Sequence, residues 1–154
     1  MTANALQIIH VGLTATLTRT TQGNHPREQI ELPELERTAT GSINRDGPAY
    51  VPPHIWNPAF IVDSDTLDTL IVQHAAWRDS PSSFLIYDTI SKYSEATQTR
   101  AAVPGTTVTS KGGRVLYYPQ FRGEFQGDLK YSSQGFEWYN VSFQMIETEV
   151  VPVA

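Results

Sequence analysis

The strongest constraint on this chain is a strict two-residue alternation near its end. Tyr139, Val141, Phe143 and Met145 are apolar or aromatic, while Asn140, Ser142 and Gln144 between them are polar. Side chains of an extended strand point to opposite faces in turn, so this pattern fits a strand with one face in a core and excludes a helix. The same period recurs at Ile9, Val11, Leu13, Ala15 and Leu17, which reads as one half-buried strand with His10 on its polar face. Val115, Tyr117, Phe121 and Phe125 share a parity, with Gly123 and Gly127 marking a bulge or kink. Phe84-Leu85-Ile86-Tyr87 is short and continuously apolar, as in a strand buried on both faces.

Between these runs lie turn formers and weaker strands. Thr20–Pro26 and Asn44–Pro48 collect Gly, Pro, Asn and Asp, and Ser132–Gly135 supplies a further turn. Glu28–Leu32 and Arg37–Ile43 read as short or edge strands, separated by Pro33, and Pro58 interrupts the apolar stretch Ile55–Val62. One helix is predicted from about Thr66 to Arg78, capped by Asp65. It places Leu67, Leu70, Ile71, His74 and Ala75 on one face, and His74 is expected as a partly buried core residue. The chain thus reads as mainly β: an antiparallel β-sandwich or open barrel with one flanking helix. Residues 1–154 form a single domain, with extended loops at about 20–29, 44–58 and 91–105 and a C-terminal arm at 150–154.

Composition removes whole classes of chemistry. With no cysteine, disulfide scaffolds, thiolate metal sites and cysteine nucleophiles are excluded, and the redox compartment stays open. The net charge is −5, and the 11 basic residues are scattered singly, unlike the basic patch of a nucleic-acid binder. No apolar run is long enough for a membrane span, and Met1-Thr2-Ala3-Asn4 lacks the order of a signal peptide. A soluble protein made in a cytoplasm is expected.

Motifs for catalysis or metal binding are weak. His10, His25, His54 and His74 have no ligand spacing, and helix capping accounts for the carboxylates of Asp63–Asp68 better than a calcium loop does. Lys111-Gly112-Gly113-Arg114 lacks phosphate-loop spacing and reads as a hairpin turn. Glu124, Glu137, Glu147 and Glu149 read as ordinary solvent-face residues of strands. The expectation is therefore no enzyme, with no catalytic, cofactor or metal residues. Tyr117 and Tyr139 share parity with apolar neighbours and are expected in the core. Trp138 and Tyr118 lie on the opposite parity, where a large aromatic marks a binding face or a subunit contact.

Two segments carry a family resemblance. The helix ending in Ala76-Trp77, followed by a short loop and Phe84-Leu85-Ile86-Tyr87, is similar to a segment of the tail-tip and distal tail proteins of long-tailed bacteriophages, of the minor tail protein M type related to tail-tube proteins. The closing strand Tyr139–Glu147 resembles the terminal strand of that family. Together they cover about a third of the chain. The long N-terminal segment and the stretch Ser91–Lys111 depart from the pattern.

The resemblance implies a virion structural protein, assembled in the host cytoplasm as a ring, normally six-fold. Such a ring joins the tail tube to the hub or baseplate, and DNA only passes through its lumen. It implies no cofactor and no membrane span. On this reading Trp56, Tyr118, Trp138, Val150, Val151 and Val153 are the candidate subunit-interface residues. The alternative from the residues alone is a carbohydrate-binding β-sandwich in which Trp56, Trp138 and Tyr118 stack on sugar rings.

Overall fold

The computed structural model describes residues 4–20, 27–29, 34–37, 43–46 and 53–153. The expected loop at 21–26 with His25, the segment 30–33 with Pro33, and the turn residues Gly47 and Pro48 lie outside the described residues. Over the described residues the chain is mainly β and antiparallel, with one helix, and the described strands do not close into a barrel.

The main sheet starts at β1 (Leu6–His10) and β2 (Leu13–Leu17), joined by the turn Val11-Gly12. The expected single strand across Ile9–Leu17 is therefore a hairpin. Its register pairs Ile8 with Ala15 and His10 with Leu13. A two-residue turn keeps the every-other spacing of apolar residues in sequence but exchanges the faces, which is why alternation alone misses it. His10 consequently shares a face with Ile8 and lies 5.2 Å from the ring of Phe84, rather than on the polar face.

Beyond β1 the sheet continues through β8 (Phe84–Asp88), β12 (Gln120–Gly135), β13 (Trp138–Val150), β6 (His54–Trp56) and β3 (Arg27–Gln29). β7 (Ala59–Asp63) also pairs with β13, higher along it, because Asn57-Pro58 breaks the expected strand in two. Residues 38–42 of the expected strand Arg37–Ile43 lie outside the described residues; on either side of them, β4 (Glu34–Arg37) and β5 (Ile43–Asp46) pair with each other in opposite directions. A small third sheet joins β9 (Tyr93–Glu95), β10 (Thr109–Lys111) and β11 (Arg114–Tyr117). Gly112 and Gly113, at φ 60° and 76°, make the β10–β11 turn expected of Lys111–Arg114. In contrast, β12 runs straight through Ser132–Gly135, and the chain reverses at Phe136-Glu137.

Helix α1 (Ser64–Asp79) begins two residues earlier than predicted, and its cap is Asp63 rather than Asp65. The Asp63 carboxylate accepts from the Thr66 amide at 2.9 Å, and that bond holds its pKa below the ordinary value. Leu67, Leu70 and His74 are buried as expected, joined by Gln73, while Ile71 packs at the margin. They cover a core of Leu6, Ile8, Leu17, Phe60, Phe84, Ile86 and Phe125, each side chain contributing about 1.5–3 kcal/mol by leaving water.

Two consecutive helix residues also cap strand backbones. Gln73 Nε2 donates to the Ile8 and Leu13 carbonyls at 3.0 Å each. His74 Nε2 lies 2.9 Å from the Gly127 carbonyl, at a bulge where Gly127 has φ 74°. The helix thus satisfies polar backbone on both flanks of the opening it fills. No helix among the described residues is long and apolar enough to cross a membrane.

Candidate functional site

The core face of the sheet changes character at one end. On β8 the buried parity Phe84, Ile86 ends in Asp88; on β13 the buried parity Val141, Phe143, Met145 ends in Glu147; on β6, Trp56 is preceded by His54. Register places these three strand ends together, with Met145 opposite Trp56 and β8 beside β12. Two buried carboxylates therefore meet at the end of an apolar face. They are kept there by arginines from two other segments.

Arg100 comes from the irregular stretch 96–108 and is fully buried. Its Nε donates to Glu147 Oε2 at 2.7 Å and its Nη2 to Oε1 at 2.6 Å, a two-pronged pair. The His54 amide donates to the same Oε1 at 3.2 Å, and His54 Nδ1 lies 3.6 Å from it, beyond hydrogen-bonding length and with no other partner among the described residues. Arg27 from β3 donates to Asp88 Oδ2 at 3.0 Å, and Trp56 Nε1 donates to the same oxygen at 3.3 Å. The Ile90 amide takes Asp88 Oδ1 at 3.0 Å. Both guanidinium carbons sit 5.4 Å from the ring centroid of Phe121, so one aromatic ring serves both cations.

Burial alone would raise the pKa of Glu147, but His54 and Arg100 outweigh it and hold the carboxyl below its ordinary value. Burial lowers His54, Arg27 and Arg100 lower it further, and Glu147 pulls the other way without prevailing. A carboxylate locked on a buried guanidinium is a poor proton acceptor. The arrangement is suited to clasping segments together rather than to acid–base catalysis.

The clasped segment is a strap, residues 96–108, running from β9 to β10. Tyr117 is buried; its hydroxyl donates to Glu95 and accepts from the Arg100 amide at 3.2 Å. Backbone bonds run from the Ala101 amide to the Val151 carbonyl at 2.9 Å, from Val103 to Tyr118 at 2.8 Å and from Gln120 to Ala101 at 2.7 Å. The expected loop at 91–105 is thus largely docked.

The expected interface residues divide. Trp56 is a correction: it is fully buried, edge-on to Phe121 at 4.7 Å, and available neither to a neighbour nor to a sugar ring. Tyr118 is half-buried beneath Lys92, whose Nζ is 5.6 Å from its ring. Val150 ends β13 opposite Phe121, and the Val151 carbonyl holds the strap, so neither belongs to a free arm. Val153, 48% exposed, and Trp138, 41% exposed, present the most surface of the six, while Tyr118, Val150 and Val151 are half-buried. Trp138 sits beside the tip of the β12–β13 hairpin with the Arg19 guanidinium 5.5 Å from its ring.

That tip is the second notable feature. Phe136 is 99% exposed, and Tyr131 and Trp138 near it are 53% and 41% exposed. β8 stops pairing with β12 at Gly123, and the Gly127 bulge turns against α1. From Lys130 to Gly135, β12 therefore has β13 as its one strand neighbour among the described residues. At the hairpin root, a hollow of about 470 Å³ has a mixed polar and apolar lining that includes Asn57, Pro58, Gln126, Lys130, Phe143 and Gln144, with the Phe143 ring itself buried. No cluster of three or more metal-binding side chains occurs among the described residues.

The buried cluster has one sequence signal, a charged residue continuing the apolar parity of a strand. Asp88 and Glu147 both carry it, and Glu147 is not the solvent-face residue its composition suggests. Nothing local marks Arg100. Compared with protein-family models, with curated proteins and with solved structures, the chain matches none.

Proposed function

We propose that this protein is a structural component of a bacteriophage tail or baseplate, one copy of a ring that joins the tail tube to the hub and lines the DNA conduit. The observation that carries the reading is the outer end of the β12–β13 hairpin. It combines a strand edge at Lys130–Gly135, unpaired among the described residues, with Phe136 at 99% exposure. Open edges and exposed apolar side chains are liabilities in a monomer and assets in an assembly, because a neighbouring copy supplies the missing strand or pocket. Engaging a different surface of the next copy gives a head-to-tail contact, the kind that closes into rings. The resemblance of Leu67–Tyr87 and Tyr139–Glu147 to phage tail-tip proteins supplies the biological setting. At −5 per copy, a six-fold ring would carry −30, so its lumen would repel DNA rather than hold it.

The test is light scattering coupled to gel filtration over a concentration series, with negative-stain imaging of any large species, for the natural chain and for Phe136→Ser. Rings with a central channel, lost in Phe136→Ser without loss of thermal stability, are expected. A strict monomer at all concentrations, or rings indifferent to Phe136→Ser, refutes the assignment of the tip as the contact.

A further inference from the structure

The buried cluster contains one orphan. Every oxygen of Glu147 and Asp88 accepts at least one hydrogen bond, yet Nδ1 of His54 has no hydrogen-bond partner among the described residues while lying 3.6 Å from Glu147 Oε1. The oxygen it faces is occupied by Arg100 Nη2 at 2.6 Å and by the His54 amide at 3.2 Å. Arg100 in turn holds the strap, through its own backbone to Tyr117 and through the adjacent Ala101 amide to Val151. One buried carboxylate therefore stands between a permanent cation, which belongs to the strap, and an imidazole, which belongs to the sheet.

We propose that the strap of residues 96–108 is a latch released by acid, in which protonated His54 takes Glu147 in place of Arg100. The charges facing His54 decide the direction. β13 presents Glu147; β3 presents Arg27; the strap presents Arg100; β9 presents the edge of the Tyr93 ring at 5.0 Å; β8 presents Asp88, already held by Arg27 and Trp56. A proton on His54 in the closed state adds a third cation beside two guanidiniums in a site from which water is excluded. Opening the strap removes one of these cations to water, frees Glu147 Oε1 for the imidazolium, and gives the displaced Arg100 full hydration. His54 is buried in the closed state, and burial with its two cations depresses its affinity for protons. The open state binds the proton better, so protons favour opening.

The size of the effect follows from linkage. With His54 at 6.5 in the open strap, the opening constant rises by up to about 30-fold between pH 7.5 and pH 5. Glu147 is held below its ordinary value and stays ionised across that window, and His10 stacks on Phe84 away from the strap. The readout is amide hydrogen exchange on the full chain, corrected for the intrinsic effect of pH, at the Ala101, Val103 and Gln120 amides that tie the strap down. Amides of β8 and of β13 serve as the global reference.

In the natural chain, strap protection should fall by up to about 30-fold towards pH 5 while the reference amides hold. In His54→Gln, which cannot titrate, strap protection should be flat. If His54→Gln does not fold, the natural chain still decides by nuclear magnetic resonance. The ring protons of His54 and the strap amides must then titrate with one midpoint. Strap protection that is flat in the natural chain, that falls equally in His54→Gln, or that follows a different midpoint from His54 overturns the proposal.

Discussion

Replacing Glu147 by Gln removes one charge from the buried cluster and changes little else in shape. Arg100 stays fully buried, but its two bonds of 2.6 and 2.7 Å now meet a neutral amide that has one acceptor oxygen instead of two. The His54 amide competes for that oxygen. The amide nitrogen of the new side chain, at the other position, faces the Arg100 Nε–H, donor against donor. Leaving a buried charge without its counter-ion costs about 3–5 kcal/mol, out of a total stability of about 5–15 kcal/mol for a domain. At about 2–4 °C per kcal/mol for a chain of this length, the melting temperature should fall by roughly 6–20 °C.

The internal control is Glu149→Gln. Glu149 pairs with Arg122 at 3.8 Å, with 58% and 35% of the two side chains exposed, and pairs of that kind contribute at most about 1 kcal/mol. Thermal and urea denaturation followed by circular dichroism should separate the two variants clearly at pH 7.5. A Glu147→Gln variant no less stable than Glu149→Gln would refute the reasoning, because the Arg100 charge would then be compensated by something other than Glu147.

Two backbone sites give sharper local tests. Val11 is β-branched yet sits at φ 48°, is 54% exposed, and precedes Gly12 at φ 74°. Val11→Asn supplies the residue that this two-residue turn favours without removing buried surface, and should stabilise the chain by about 1 kcal/mol, seen as a higher urea midpoint at unchanged slope. At Gly123 an added Cβ would lie 2.3 Å from the Ile146 carbonyl oxygen across the β12–β13 ladder. Gly123→Ala should therefore destabilise by about 1–3 kcal/mol, and a thermal melt identical to that of the natural chain would show that the two strands can part there at no cost.

How much of this was legible from the residues differs by element. The closing strand, the helix and the Gly112-Gly113 turn could be read because their signals are local: a period of two, a period near 3.6 with a capping Asp, and two adjacent glycines. The β1–β2 hairpin could not, because Val11-Gly12 preserves the spacing of apolar residues while reversing the chain. Ser132–Gly135 misled in the opposite sense, since small polar residues suit an exposed strand edge as well as a turn. The exposed tip was half legible: the parity of Trp138 marked it, but Phe136 lay beyond the supposed turn. Glu147 and Asp88 were visible as charges on an apolar parity, but their meaning depended on Arg100, which lies 47 residues from Glu147 in sequence. Arg27, 61 residues from Asp88, poses the same problem. Pairings of that range are set by topology, not by any window of sequence.

The two features on which the functional argument turns invert the usual placement of residues, and the inversion is itself informative. Arginine, glutamate and aspartate are buried at one end of the core face, while phenylalanine, tryptophan and tyrosine stand exposed at the hairpin tip. Neither arrangement helps an isolated domain much. Apolar side chains in place of the buried pairs would serve stability at least as well, and polar ones at the tip would serve solubility better. The charges do give direction: a guanidinium finds one carboxylate in one geometry, whereas an apolar plug could slide along the sheet end. Arg100 thus sets where the strap lies, and the strap in turn ties down the Val151 carbonyl just past the end of β13. The far end of that same strand carries Trp138 and, through the turn, Phe136. Clasp and tip are the two ends of one 13-residue strand. On the proposed reading, fixing one end of the strand by charge sets the orientation in which the aromatic tip at its other end would meet the next copy.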